Sequence, residues 1–245
     1  MMVETVSIIL YILPVFICVI ILKEMKKLLF LSILTFVALL FPTSAAFAQT
    51  SVTDKRIVID AGHGGSDSGA VNTGLKESDV TRDIANRLKI RLEADGAIVG
   101  LTRDCDCDKS NNDRYTFANN FNGDVLVSIH LNGSTNPSKD GTQGLYGQKT
   151  KDLDFAKVMH QALYPSLNTV SNFTDLGVTN FASGVLLKSN MPATIAETVF
   201  ISNSNEYTLL TDGTGNRQQQ IAQSLYQGLV NWFSIPPAPP KGGKH

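Results

Sequence analysis

The chain has 245 residues, 43% hydrophobic and 18% charged, enough for one medium-sized core and a short appendage. Its formal net charge is −1, and Lys and Arg cluster only near the N-terminus. That balance excludes a charge-driven nucleic-acid partner and a strongly charged membrane-surface role for the main body.

The N-terminal 48 residues differ in character from the rest. From Met25, a basic start (Lys26, Lys27) leads into an apolar run, Leu28 to Phe41, and closes on Ala46-Phe47-Ala48. This is the layout of a secretory signal peptide with an A-x-A cleavage site. A second apolar run, Val6 to Leu22, lies upstream, and both are shorter than the roughly 20 residues of a membrane-spanning helix. The expectation is therefore residues 25–48 as a signal cleaved after Ala48, with residues 1–24 an apolar extension upstream of the true start. A two-helix membrane hairpin is the rival. On the first reading the protein is exported, to the periplasm or to the extracellular cell wall, and meets the membrane only through this segment before cleavage.

After a short leader at 49–55, residues 56–60 read as a buried strand. Val80, Ile84, Leu88 and Leu92 then mark a helix face, with Ser78 and Asp79 as cap residues and Gly96 as the stop. Residues 97–103 and 124–130 read as strands, with a short helix at 113–121 between them. A strand near 144–147, a helix at 152–167, strands near 184–188 and 193–200, and a helix at 217–233 follow. Residues 234–245 form a Pro/Gly/Lys-rich tail. Alternating strands and helices predict a single α/β domain over 56–233, with a largely parallel, mixed sheet of about six strands and helices on both faces. Ligands in such folds gather beyond the carboxyl ends of strands.

The stretch IVIDAGHGGSDSGA, 57–70, crowds four glycines around His63. It matches neither G-x-G-x-x-G nor the phosphate loop, so a nucleotide site is not indicated. A metal site fits better: His63 and His130 follow strand ends, and Glu77 opens the first helix as a third candidate ligand, leaving a position for water. By default each has a plain alternative, a surface imidazole or an acidic residue favoured by the helix dipole. Glu197 interrupts the apolar strand MPATIAETVF, where an unpaired carboxylate is costly to bury. Either a structural salt bridge or a functional carboxylate accounts for it. Cys105 and Cys107 in DCDCD are expected to be incidental thiols of a polar loop, because one intervening residue would strain a mutual disulfide. Replacing both is expected to leave metal content and activity unchanged.

These segments resemble the zinc-dependent N-acetylmuramoyl-L-alanine amidases of the amidase-3 type, over about residues 56–233. IDAGHGGSDSGA, LKESDV, LTR, DRYTFANN, VSIHLNG and MPATIAETVFISN are similar to the family's motifs, in the family's order. The resemblance implies one Zn²⁺ per chain held by His63, Glu77 and His130, with Glu197 as the catalytic carboxylate. Arg114 and Asn132 would support the site or touch substrate. The implied substrate is peptidoglycan, cut at the amide between N-acetylmuramic acid and L-alanine, by a monomer whose activator, if any, is unidentified. A zinc peptidase acting on a peptide bond and a non-catalytic wall-binding module are the alternatives. Val199 replaces the family's usual glycine, and Leu176 stands where a basic residue is common before Gly177, which affects contacts along the groove. The 67-residue interval from His130 to Glu197 is mostly claimed by expected elements, so no full autoinhibitory helix is expected there. The glycines would let a glycan-peptide lie close to His63.

Overall fold

A computed structural model of the chain describes residues 23–28, which are helical, and 51–236. The cleavage motif at 46–48, the apolar run at 6–22, most of that at 28–41 and the tail beyond 236 lie outside the described residues. Among the latter, no helix is long and apolar enough to cross a membrane.

The strands are β1 (Arg56–Ala61), β2 (Val71–Asn72), β3 (Leu75–Lys76), β4 (Ile98–Leu101), β5 (Val125–Asn132), β6 (Gly141–Tyr146), β7 (Thr174–Asn180) and β8 (Ala193–Phe200). The helices are α1 (Glu77–Ala94), α2 (Asn111–Asn120), α3 (Lys149–Leu167), α4 (Gly184–Lys188), α5 (Ser204–Thr211) and α6 (Asn216–Phe233). Six strands form one sheet in the order β4-β1-β5-β8-β6-β7, while β2 and β3 make a separate hairpin. β4, β1, β5 and β8 run parallel, and β6 turns antiparallel to β8 with β7 parallel to β6. The expected mixed, largely parallel α/β sheet is what forms.

Strand alternation divides the apolar side chains between two layers. Ile57, Ile59, Val125, Val127 and Ile129 pack with Ile84, Leu88 and Leu92 of α1, Phe155 and Met159 of α3, and Ile221 and Leu225 of α6. Val58, Leu126, Ala193 and Ile195 face the other way, onto Ala118 of α2 and Val185 and Leu186 of α4. Helices thus cover both faces, and the carboxyl ends of β1, β5 and β8 lie side by side.

Several elements differ from expectation. α1 begins at Glu77, before Ser78 and Asp79, and Lys76 makes no side-chain cap. Backbone carbonyls cap it instead: Glu77 N–H donates to Ala70 O (2.9 Å) and Ser78 N–H to Ser68 O (3.1 Å). The strand expected near 184–188 is the short helix α4. Val185 and Leu186 are buried against Val58, Leu126 and Ala193, and five residues of such composition suit a helical turn as readily as a strand. β7 and α5 have no counterpart in the sequence reading. β7 is a polar edge strand bent at Gly177 (φ +65°), and α5 is eight residues long behind an Asn203 cap. Cys105 and Cys107 form a disulfide, correcting their assignment as incidental thiols. Their Cα atoms stand 5.4 Å apart, inside the ordinary range for a bridge, so a one-residue spacer suffices when the loop doubles back.

The far end of the helical layer is closed by a buried ion pair. Arg217 Nε donates to Glu206 Oε2 at 2.8 Å and Nη2 donates to Glu206 Oε1; Nη2 also reaches Leu167 O (3.1 Å). One guanidinium therefore joins the end of α3 to α5 and α6. Breaking a buried pair leaves an uncompensated charge and costs about 3–5 kcal/mol. Glu206→Gln is expected to lose about that much stability in denaturant unfolding with an unchanged slope. A loss below about 1 kcal/mol would show the pair to be dispensable.

Candidate metal centre and groove

Three parallel strand ends build the site. β1 runs into the turn that carries His63, β5 presents His130, and β8 presents Glu197 directly beside His130 in register. Glu77 arrives from the first residue of α1, brought under the turn by the hairpin β2–β3. His63, Glu77 and His130 place one donor atom each within 4.8 Å of one another, a grouping that could hold a metal ion.

The Glu77 carboxylate is the hub. Its Oε1 lies 3.2 Å from His63 Nε2 and 3.0 Å from His130 Nδ1, and accepts from Leu131 N–H at 2.9 Å. Its Oε2 accepts from Ala70 N–H at 2.9 Å. Burial pushes this carboxyl up, but the hydrogen bonds and charges of His130 and His63 outweigh it and hold Glu77 well below the usual range. On the His63 ring, burial lowers and Glu77 and Asp67 raise; the balance is pushed up to about 9. Its Nδ1 contacts Asp67 Oδ2 at 2.8 Å, which orients the ring, the familiar arrangement behind a metal-ligating histidine. His63 Nε2 and His130 Nδ1 both face Glu77 Oε1, so the three donor atoms converge.

Gly62 and Gly69 are required by close approach. A Cβ on Gly62 would sit 2.4 Å from His130 Cε1, and one on Gly69 (φ +65°) would sit 2.6 Å from both Glu77 Oε2 and His63 Cδ2. The glycines make room for the site's own side chains. The expectation that they admit substrate is corrected accordingly.

A groove of about 310 Å³ opens over the cluster, with His63, His130 and Glu197 on its wall and Lys109, Asn111 and Phe181 at its rim. That volume is at the lower end of ordinary ligand clefts. Glu197 is half-buried; burial raises its carboxyl, Glu77 adds to the rise, and the His130 and His63 charges partly oppose it. A carboxyl raised in this way takes up a proton more readily than a solvent-exposed one. The interval from His130 to Glu197 contains β6, α3, β7 and α4, and Phe181, Ser183 and Val185 of this segment line the groove.

Arg114 works from beneath. It donates to Asp60 Oδ1 (2.7 Å), Ala61 O (2.7 Å) and His63 O (2.8 Å), so it positions the turn as well as lining the groove. Asp60, missed in the sequence, is fully buried and also accepts from Ser128 Oγ (2.6 Å) and Thr102 Oγ1 (2.5 Å). Burial pushes the Asp60 carboxyl up, but the Arg114 charge and these hydroxyls hold it below the usual range. Its sequence signals are its place at the end of an otherwise apolar strand and at the head of the motif IDAGHGG. Asn132 stands apart: its Oδ1 accepts from Gly133 N–H at 2.9 Å, and it is not among the groove-lining residues.

The family profile described as N-acetylmuramoyl-L-alanine amidase matches residues 57–231. The chain is 32% identical over 185 residues to N-acetylmuramoyl-L-alanine amidase LytC of Bacillus subtilis, covering 76% of this chain and 37% of that one. It is 31% identical over 245 residues to the germination-specific N-acetylmuramoyl-L-alanine amidase of the same organism, covering 89% and 99%. It thus spans about a third of one relative and nearly all of the other. The catalytic domain of CwlV from Bacillus (Paenibacillus) polymyxa var. colistinus superposes with a TM-score of 0.67 at 31% identity, covering 74% of this chain and 99% of that one. The CwlD amidase of Clostridioides difficile, solved in complex with the GerS lipoprotein, gives 0.64 at 30% identity, covering 74% and 99%. The fold, the order of its motifs and these matches together place the chain in the N-acetylmuramoyl-L-alanine amidase family.

Proposed function

We propose that this protein hydrolyses the amide between N-acetylmuramic acid and L-alanine in peptidoglycan, with a zinc ion held by His63, Glu77 and His130 and with Glu197 as the proton-transfer group. The observation that carries the reading is the convergence of three donor atoms within 4.8 Å, with the half-buried Glu197 carboxyl on the groove wall shared by His63 and His130. Two imidazoles and one carboxylate suit zinc, and three protein ligands leave a position for water or substrate. When bound, the ion supplies an acidified water and polarises a carbonyl. Asp67 keeps the His63 ring oriented, and Arg114 fixes the carbonyls of Ala61 and His63. Glu197 takes the proton of the attacking water and delivers it to the departing L-alanine amine. The cluster's burial keeps its electrostatic interactions strong.

Residues 25–48 are the export signal in this reading, supported by their basic start, apolar run and A-x-A ending. The secreted form is then expected to begin at Gln49. Intact mass of the exported protein checks this, and a species retaining 6–22 would favour a membrane anchor.

Ligand and base are separable by mutation. His63→Ala is expected to lose both zinc and turnover. Glu197→Gln keeps its size, so zinc content is expected to stay near wild type while cleavage falls roughly 10²–10⁴-fold. Elemental analysis, thermal midpoint and muramoyl-amide cleavage on the same preparations decide it. A Glu197→Gln enzyme that still cleaves at nearly the wild-type rate sinks the mechanism; one that loses zinc makes Glu197 a ligand.

Zinc uptake also has a predicted pH dependence. With His63 pushed up to about 9 in the metal-free protein, its proton must leave before Nε2 can ligate. That proton stabilises the metal-free fold fully below the ordinary histidine range and ceases to do so as pH rises through about 9. Zinc affinity is therefore expected to climb between pH 6.5 and 9, by up to about tenfold per unit, with proton release on binding. Calorimetry in buffers of different ionisation enthalpy measures both; a flat affinity across that range contradicts the assignment.

A further inference from the structure

The loop that joins β4 to α2 lies against the turn carrying His63, and its contacts are concentrated on two consecutive residues there. Asp106 Oδ1 accepts from Gly65 N–H at 2.8 Å. Asp108 Oδ1 accepts from Ser66 N–H at 2.8 Å and from Ser66 Oγ at 2.6 Å. Asp106 sits inside the small ring closed by the Cys105–Cys107 disulfide, and Asp108 follows that ring directly. The fit is close. A Cβ on Gly64 would stand 2.6 Å from Cys107 O, and a Cβ on Gly65 would stand 2.5 Å from Asp108 N. Arg103 ties the base of the same loop down, donating to Cys105 O at 3.0 Å and to Ala61 O and Gly62 O at 2.9 and 2.8 Å.

The turn requires such restraint. His63 (φ +59°), Gly64 (φ +128°) and Gly65 (φ +61°) all adopt positive φ, which for a histidine is an uncommon conformation that surrounding structure must hold in place. The chain between Ser66 and His63 also contains Gly64 and Gly65, the two residues least able to hold a direction by themselves. Asp67, next after Ser66, carries the carboxylate that orients the His63 ring. Releasing the backbone at 65–66 would free both the ligand's main chain and its orienting partner.

We propose that Asp106 and Asp108, presented by a loop that the Cys105–Cys107 disulfide closes, are positioning residues for His63, and that the disulfide thereby pre-forms the metal site. The proposal rests on the reading of His63, Glu77 and His130 as zinc ligands and deepens it. Its physical content is entropic. A site already in its bound geometry loses less freedom when the ion arrives, and therefore binds it more tightly. Because the two carboxylates are exposed and touch none of the ligands' donor atoms, their removal loosens the turn and leaves the core intact.

The test uses Asp108→Ala, Asp108→Asn and the Cys105→Ser/Cys107→Ser double variant of the signal-free protein, with His63→Ala as reference. Zinc affinity is read by competition with a chelating dye, without thiol reductants, since dithiols bind zinc themselves. Amide exchange of residues 62–69 is read on the metal-free proteins, together with their thermal midpoints. Asp108→Ala is expected to bind zinc about tenfold more weakly, the scale of losing a pair of hydrogen bonds to a carboxylate, and to exchange faster at Gly65 and Ser66. Asp108→Asn keeps an oxygen acceptor at the same place and is expected to recover most of both. The double cysteine variant is expected to change in the same direction, with midpoints in all three close to wild type. Wild-type zinc affinity and wild-type exchange in Asp108→Ala and in the double variant overturn the proposal. If His63→Ala also binds zinc like the wild type, the ligand assignment itself fails, which is a different outcome from failure of the clamp.

Discussion

A single carboxylate, that of Glu77, carries the arrangement of the site. It is 3% exposed, and its two oxygens are shared among His63, His130 and the backbone N–H groups of Leu131 and Ala70. An ionised group this deep is tolerated because it is well partnered, three contacts at Oε1 and one at Oε2. Those donors come from β5, from the turn after β1 and from the segment before the β2–β3 hairpin. Satisfying one charge therefore ties the turn after β1 and the segment before the hairpin to β5, a strand distant in sequence. The two imidazoles beside it lie edge to face with ring centroids 4.8 Å apart.

Asp60 does for the scaffold what Glu77 does for the ligands. It lies at the end of β1 and is bonded to Thr102 after β4, to Ser128 of β5 and to Arg114 of α2. Arg114 in turn donates to the carbonyls of Ala61 and His63. The two buried carboxylates thus act in series. One fixes where the turn leaves the sheet, and the other fixes what its histidine faces. Glu197 has no comparable share of donors, and burial raises it where the other two are lowered. That contrast sets Glu197 apart from Asp60 and Glu77 by environment.

Much of this was legible in the residues. The long helices α1, α3 and α6 and the strands β1, β5 and β8 follow from plain periodicity, since each buries a continuous apolar face. His63, His130 and Glu197 stood out because polar groups at the carboxyl ends of parallel strands share one edge of the sheet whatever the tertiary detail. Asp60 did not, because a strand-ending aspartate looks the same whether it meets solvent or a buried arginine. β7 was hidden by its edge position: with one neighbour and a kink at Gly177, it needs no apolar alternation. The α4 segment, GVLLK, is too short for period to distinguish helix from strand. The Cys105–Cys107 bridge is hidden in the sequence because spacing fixes chain length and leaves loop curvature open. The glycines of the turn suggest space for a ligand, whereas packing fills that space with His130, Glu77 and His63 at Gly62 and Gly69 and with Cys107 and Asp108 at Gly64 and Gly65.

The most direct measurement of the account is the identity of the bond broken and its dependence on metal. Purified peptidoglycan is digested with the zinc-loaded protein, with the protein stripped by chelator, and with the stripped protein resupplied with zinc, and the newly exposed amines are labelled and identified. The account predicts new amines on L-alanine, absent after chelation and restored by zinc. New amines on another stem-peptide residue, new reducing sugar ends, or L-alanine release indifferent to chelation would contradict it.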